Sequence, residues 1–422
     1  MPPAADILYR VQIEPIKLIM SVKKTMVQVL KLNKGAERRI RAGHHWVYSN
    51  EIDNKFAPLK DVEPGSVINI VDSNGRNLGS FMVNPTALIC GRLVSRKADR
   101  QLSSSLLKNR LKQALAIRDQ CFDQPCYRWV FGDSDGLSGL VIDRFFDVLT
   151  IQISTAGMEQ HLDAILDHVQ RLVQPKGILL KNDGKMRAVE GLESYVKIGF
   201  GEVPDQVELV ENGTRFLAPL MTGQKTGWFY DHRPNRALAA SYAKGKTVLD
   251  VFSYLGGWGL TAANAGAEQV TCVDASELAL AGVMDNARLN NVSEKVSTRQ
   301  GDAFDVLSEL HKEKSRFDIV IVDPPAFIAR RKDMAAGERA YQKLTDAAMK
   351  LVNHGGILVS ASCSMHLESE RLRDMIRASA TKLERHAMIL SEGYQGADHP
   401  VLPAVPETRY IKAIFAQINP SL

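Results

Sequence analysis

Apolar and polar positions alternate in short runs over residues 26–98. "VQVLKL", "GSVINIVD", "LGSFMV" and "ALICGRLVSR" are divided by Asn, Gly and Pro turns. A two-residue period puts every second side chain on one face of a sheet, and turn formers at this spacing predict a small β-barrel. The period lengthens over 103–120, where Leu106, Leu107, Leu111, Leu115 and Ile117 fall close to helical spacing behind the N-cap candidates Ser103 to Ser105. The chain then mixes strand-like "YRWVFG", "GLVIDRF" and "DVLTIQIS" with a helical "MEQHLDAILDHVQRLV" and the strands "GILLKND" and "YVKIGF". From 216 onward, "KTVLDVF", "EQVTCVD", "VSTRQGD", "FDIVIVD", "GGILVSASC" and "RYIKAIFAQI" read as strands with helical patterns between them. Near-continuous apolar strands that alternate with helices predict a parallel sheet covered on both faces. The expected division is an extension over 1–25, a β-barrel over 26–98, an α+β domain over 99–215 and an α/β domain over 216–422.

Composition agrees with that division. The chain has 422 residues, and at roughly 100–200 residues per domain two or three are expected. With 45% hydrophobic and 24% charged residues, it is neither a disordered chain nor a disulfide-stapled miniprotein. No apolar run reaches the length of a membrane span. The stretch "VQIEPIKLIM" near the start is interrupted by Glu14, Pro15 and Lys17 and carries no cleavage signal, and Met26 opens the first strand-like run. Cys90, Cys121, Cys126, Cys272 and Cys363 fit free thiols in a reducing, cytoplasmic compartment. No two of them form a Cys-x-x-Cys pair, so no metal site is expected.

Charge is divided unevenly. Residues 1–130 hold 21 Lys/Arg against 11 Asp/Glu, and the remainder 32 against 37, giving +10 and −5. A basic front on a slightly acidic body fits a polyanion-binding part joined to a part that does chemistry, although a solvated basic surface accounts for the numbers equally well.

In an open α/β sheet the ligand sits at the carboxyl ends of the strands. The first such end is "LDVFSYLGGWGL", with Asp250, Phe252, Gly256 and Gly257. Asp274 closes the second strand, where an acid accepts hydrogen bonds from ribose hydroxyls. Asp302 closes the third and Asp323 the fourth, in "VDPPAF". Gly257-x-Gly259-x-x-Ala262 also fits a dinucleotide fingerprint, but nothing nearby resembles a hydride-transfer site. The acids have a structural alternative as helix caps. Four acidic strand ends in order, the last followed by Pro-Pro and an aromatic, resemble class I S-adenosylmethionine-dependent methyltransferases. The resemblance implies Asp250, Gly256 and Gly257 near the methionine part, Asp274 on the ribose and Asp302 near the adenine, with Phe252 and Asp323 also among the cofactor-binding residues. The stretch "QKTGWFYDHRPNR" (224–236) resembles a segment of RNA methyltransferases that flanks the cofactor, with Phe229 as its aromatic and His232 where Gln is usual. Its alternative is a packed linker whose Arg residues pair with carboxylates.

"DPPAF" presents a polar side chain, Asp323, with Pro324, Pro325 and an aromatic, Phe327, to a base taken out of its stack. Cys363 follows the fifth strand of this region, beside the same cleft. Carbon 5 of a pyrimidine is a poor nucleophile; a thiolate adding at carbon 6 turns the ring into an enamine-like species that attacks a sulfonium methyl. The alternative for Cys363 is a small buried residue at a strand end.

Together "KGAERRIRAGHHWVYSNEI" (34–52), "GDSDGLSGLVIDRF" (132–145), "QKTGWFYDHRPNR", "FSYLGGWG", "DPPAF", "SCS" (362–364) and "ADHPV" (397–401) resemble the ribosomal RNA large subunit methyltransferase I family, which makes 5-methylcytosine in 23S ribosomal RNA. The resemblance implies an N-terminal PUA domain that binds RNA, a central α+β domain, a C-terminal Rossmann-like methyltransferase domain and Cys363 as nucleophile. Arg38, Arg39, Arg41, His44, His45 and Trp46 become candidates to touch RNA, and the central domain to join or extend that surface. Ala326 stands where the family usually has Lys, so the contact of that Lys does not carry over. Guanine methylation at N7 or N2 and a non-catalytic RNA-binding factor remain alternatives, and the choice between monomer and homodimer is open.

Overall fold

A computed structural model of the chain describes residues 29–421. The extension expected over 1–25, and Met26, lie outside the described residues. The N-terminal elements are β1 (Val29–Lys31), α1 (Glu37–Arg41), β2 (Trp46–Tyr48), β3 (Val67–Val71), β4 (Asn77–Val83) and β5 (Ile89–Ser95). The strands form one sheet in the order β1-β3-β4-β5-β2. A bridge between Leu32 and Ile52, just beyond the two edge strands, curls the sheet on itself. Inside lie Leu30, Ile40, Val47, Ile70 and Phe81, all fully buried.

The next helix, α2 (Ser104–Cys121), starts where expected, because the Ser103 hydroxyl accepts the Leu106 N–H and satisfies one of the free donors of the first turn. It packs on a sheet of β6 (Cys126–Phe131), β7 (Leu140–Phe145), β8 (Val148–Ile153), β9 (Gly177–Asn182) and β10 (Tyr195–Gly201), ordered β10-β9-β8-β7-β6. Three helices accompany this sheet: α3 (Ala156–Glu159), α4 (Leu162–Val173) and α5 (Met186–Val189). A separate hairpin follows, β11 (Gln206–Glu211) with β12 (Thr214–Pro219). The break expected at 216 therefore falls inside β12. Leu209, Phe216 and Ala218 of this hairpin share a core with Leu260, Val270 and Val283 further on, so by packing the hairpin goes with the C-terminal body.

That body contains α6 (Arg233–Ser241), β13 (Thr247–Val251), α7 (Gly257–Asn264), β14 (Gln269–Asp274), α8 (Glu277–Leu289), β15 (Val296–Gln300) and α9 (Ala303–Lys312). It continues with β16 (Phe317–Val322), α10 (Met334–Met349), β17 (Val352–Ser362), α11 (Ser369–Lys382), β18 (Arg385–Gly393) and β19 (Lys412–Pro420). The sheet order is β15-β14-β13-β16-β17-β19-β18. β13 to β17 run parallel, as their apolar runs predict, whereas β19 is antiparallel to both neighbours. β18 is an addition to the expected strands: its short apolar run Ala387–Leu390 lies at the sheet edge, with Met388, Ile389 and Leu390 exposed. From β13 the chain winds outward through β14 and β15, then returns to β16 on the other side. The reversal opens a crevice at the carboxyl ends of β13 and β16, where ligands bind in such sheets. Among the described residues no helix is long and apolar enough to cross a membrane.

Candidate active site

A cleft of about 650 Å³ occupies this crevice. One side is the turn after β13. Phe252 and Tyr254 take positive φ angles of 65° and 49° there, a conformation costly for residues with a Cβ and concentrated at functional sites. Gly256, at φ +83°, completes the bend and caps α7, and a Cβ on Gly257 would meet Arg236 Nε at 2.9 Å. Phe252, Ser253, Tyr254 and Gly257 line the cleft; Gly256 lies behind it. Asp250 also lies behind, fully buried, accepting the Gly259 N–H at 2.8 Å. Burial pushes its carboxyl up to about 7, helped by the charges of Asp323 and Asp274 and opposed by the Gly259 N–H and Arg236. It shapes the turn instead of forming the wall expected of it.

Asp274 and Asp302 both line the cleft, and both also cap. Asp274 accepts the N–H groups of Tyr254 and Ser276, each at 2.9 Å and each on a different oxygen. Its carboxylate is thus clamped with a lone pair left on either oxygen. Asp302 accepts the Phe304 N–H at 2.9 Å at the start of α9.

The 224–236 segment forms another wall, through Lys225, Phe229, Asp231, His232 and Arg236. The Phe229 ring stands edge-on to Tyr254 at 5.5 Å, with the Lys225 ammonium 4.4 Å from its centroid. The linker reading holds as well: Arg236 Nη1 donates to Glu211 at 2.7 Å, and Arg233 donates to the Cys126 carbonyl. The central sheet anchors this wall. Lys181, buried on β9, donates to the carbonyls of Leu220 (2.7 Å) and Gly223 (2.5 Å). Thr226 donates to Asp143 of β7, which is paired with Arg128 of β6. Tyr230 donates to the Arg144 carbonyl at 2.9 Å. The central sheet, expected to extend an RNA surface, is thus a platform for one wall of the cleft.

Asp323, Pro324, Pro325, Ala326 and Cys363 also line the cleft, and the Asp323 charge acts on Cys363. Trp258 Nε1 donates to Asp323 Oδ2 at 3.0 Å, and His232 Nε2 stands 3.3 Å from Oδ1. Burial raises the Asp323 carboxyl, but His232, Trp258 and Arg236 outweigh it and hold the group below its ordinary range. Phe327, expected to stack on a base, does not line the cleft; its ring packs on Tyr341 at 4.9 Å and on Phe252 at 6.5 Å. Cys363 sits between two pinned serines. The Tyr341 hydroxyl lies 2.9 Å from both Ser362 Oγ and Ser364 Oγ, and Ser364 Oγ accepts the Ile328 N–H. Burial pushes the Cys363 thiol up to about 11, the carboxylates of Asp323 and Asp231 add to this, and Lys225 works against it. The thiol is therefore protonated at neutral pH.

Trp258, Tyr254, Tyr341, Tyr410 and Lys412 escape a reading of the sequence, though Tyr254 and Trp258 lie inside "FSYLGGWG" and Tyr410 ends "PETRY". Tyr410 lines the cleft and donates to Asp231 Oδ2 at 2.7 Å. The buried Lys412 donates to the Ser364 carbonyl at 2.6 Å, and burial lowers it to about 8.

The basic N-terminal residues part company. Arg38 is exposed. Arg39 is bound to both oxygens of Glu51 at 2.9 and 2.8 Å and stacks over Tyr48, so its charge is spent inside the domain. Arg41 pairs with Asp72 at 2.5 Å. Trp46 is half-buried, with its Nε1 shielded and unpartnered. His44 Nε2 lies 3.5 Å from Glu407, which joins this domain to the segment leading into Tyr410 and Lys412.

S-adenosylmethionine presents an ammonium, a carboxylate, a diol and an adenine. The cleft answers with clamped carboxylates and aromatic walls, and Asp231 Oδ1 and Ser253 Oγ are buried there without a hydrogen-bond partner. The residues fit the group.

A family model described as S-adenosylmethionine-dependent methyltransferase matches residues 187–384, and one described as a PUA-like domain matches 30–96. A putative SAM-dependent methyltransferase from Streptococcus mutans superposes with a TM-score of 0.80 over 93% of this chain and 100% of its own, at 21% identity. Fold and cleft define an S-adenosylmethionine-dependent methyltransferase with a PUA-like domain at its front. The "Ribosomal RNA large subunit methyltransferase I" of Shewanella frigidimarina is 32% identical over 92% of this chain and 99% of its own length. That of Tolumonas auensis is 34% identical over 93% and 100%. The chain belongs to the ribosomal RNA large subunit methyltransferase I family, and is an S-adenosylmethionine-dependent ribosomal RNA methyltransferase.

Proposed function

We propose that the enzyme methylates carbon 5 of a cytosine in 23S ribosomal RNA, in the cytoplasm, with Cys363 as a covalent nucleophile. The observation that carries this reading is that Cys363 and Asp323, close enough for the Asp323 charge to act on the thiol, line the same cleft as Asp274 and Asp302. S-adenosylmethionine supplies an electrophilic methyl group when bound. Phe229, Phe252, Tyr254, Asp274 and Asp302 hold it and shield it from water. Asp323, kept ionised, accepts from the exocyclic amino group of the cytosine, and Pro324 and Pro325 shape the pocket for the ring. Cys363, a thiol in the resting enzyme, first gives up its proton to water; the thiolate then adds at carbon 6, carbon 5 takes the methyl group, a base removes the carbon 5 proton, and the thiolate leaves and is reprotonated. A single Cys serves both addition and elimination, since Cys363 is, among the described residues, the only cysteine that lines the cleft. Arg38 meets the RNA backbone.

The test is methyl transfer to unmodified large-subunit RNA, followed by nucleoside analysis. We expect 5-methylcytosine from the native enzyme, and none from Cys363→Ala, which still binds S-adenosylmethionine. A methylguanine product, or normal turnover by Cys363→Ala, overturns the reading.

A further inference from the structure

Two ring nitrogens of different kinds face Asp323. Trp258 Nε1 donates to Oδ2 at 3.0 Å and is neutral at every pH. The second is His232. His232 and Asn235 are buried, 3% and 2% exposed. Asn235 Nδ2 lies 3.1 Å from His232 Nδ1 and 3.1 Å from the Tyr394 carbonyl. A carbonyl only accepts, so the second contact fixes the Asn235 amide with its NH₂ toward the imidazole. His232 Nδ1 must then be the acceptor and Nε2 must carry the hydrogen. That hydrogen is on the side of Asp323 Oδ1, 3.3 Å away, and Nε2 has no other partner. The bond is out of line in the free enzyme, as catalytic contacts often are before substrate tightens them.

We propose that Asn235 and His232 form a positioning arm for Asp323, in which a tautomer-locked imidazole supplies the N–H that an amide would supply. His232 is a positioning residue: it acts through Asp323, which faces the base. The inference rests on that reading of Asp323.

Asp231, Lys225 and Arg236 on its own segment, Asp250 of β13, Cys363 after β17, and His399 and Tyr410 of the C-terminal segment set the field around this arm.

His232→Leu removes the donor at similar volume, and His232→Gln restores one without a titrating ring. We expect His232→Leu to lower kcat by up to about a hundredfold, with S-adenosylmethionine affinity and RNA KM little changed. His232→Gln should retain most of the rate. Nitrogen NMR of the native enzyme should show the Nε2–H tautomer at His232. Native kcat for His232→Leu, loss of activity in folded His232→Gln equal to that of His232→Leu, or an Nδ1–H tautomer overturns the arm. Nucleoside analysis of the same reactions separates the two failures: a methylguanine product sinks the cytosine reading while these rates and the tautomer still judge His232.

Discussion

The Tyr341 hydroxyl of α10 lies 2.9 Å from Ser364 Oγ, and through it the turn that carries Cys363 is tied to the loop that carries Asp323. The phenol thus fixes Ser364, whose hydroxyl accepts the Ile328 N–H of the loop that follows Asp323. Tyr341→Phe leaves the ring packed on Phe327 and removes only the hydroxyl. The expected cost is about 0.5–1.5 kcal/mol of stability, read by thermal or denaturant unfolding. A fall in kcat of about tenfold or more should accompany it, with S-adenosylmethionine affinity preserved.

Cys363 should be a slow thiol at neutral pH. Its pKa near 11 leaves little thiolate there, and alkylation follows the thiolate. Iodoacetamide should label the exposed Cys121 well before Cys363 at pH 7.5, and labelling of Cys363 should accelerate as pH rises toward 10. Mass spectrometry of tryptic peptides checks this. Fast labelling of Cys363 at pH 7 would contradict the burial argument.

Lys181 tests the role of the central sheet. It is buried and bound to two carbonyls of the segment that leads into Lys225 and Phe229. Lys181→Met keeps the apolar stem but frees both carbonyls, at a cost of about 1.5–3 kcal/mol for charge-assisted bonds. Calorimetry should show weaker S-adenosylmethionine binding, although the residue lies outside the cleft lining.

Asp250 predicts a pH dependence of stability. Its folded carboxyl is raised from 3.8 to about 7, so the folded state holds a proton that the unfolded chain gives up near pH 4. The resulting stability is present below about pH 4 and is lost as pH rises to about 7, after which this contribution is flat. Asp250→Asn keeps an acceptor for the Gly259 N–H without the charge. Its Tm should fall less than that of the native enzyme between pH 5 and pH 8.

Arg38 and Arg39 are neighbours with opposite prospects. Arg38→Ala should weaken RNA binding and reduce the salt slope by about 0.7–0.9 for each phosphate that Arg38 neutralises, with no change in Tm. Arg39→Ala should lower Tm, since it strips the partner from Glu51.

Periodicity and composition by themselves determined the order of elements, the parallel strands β13 to β17, and which strand ends hold acids. Local spacing suffices for these, because a strand buried on both faces must be apolar and a chain must turn at Gly, Pro and Asn. Cys363 and the "DPPAF" loop were equally legible, since their chemistry is written in residue type. Only the tertiary structure decided which of these residues face the cleft. Asp250 and Phe327 sit in the right motifs, yet packing turns one behind the glycine turn and the other onto Tyr341. Arg39 is basic in sequence and neutralised in space by a residue 12 positions away. Lys181 and Tyr341 belong to no motif, and elements far apart in the chain bring them to the site. The hairpin β11–β12 carries a local signal, since Val207 and Leu209 alternate with polar residues ahead of the turn Asn212-Gly213, but only packing assigns it to the C-terminal core, and only the sheet makes an exposed edge strand of β18.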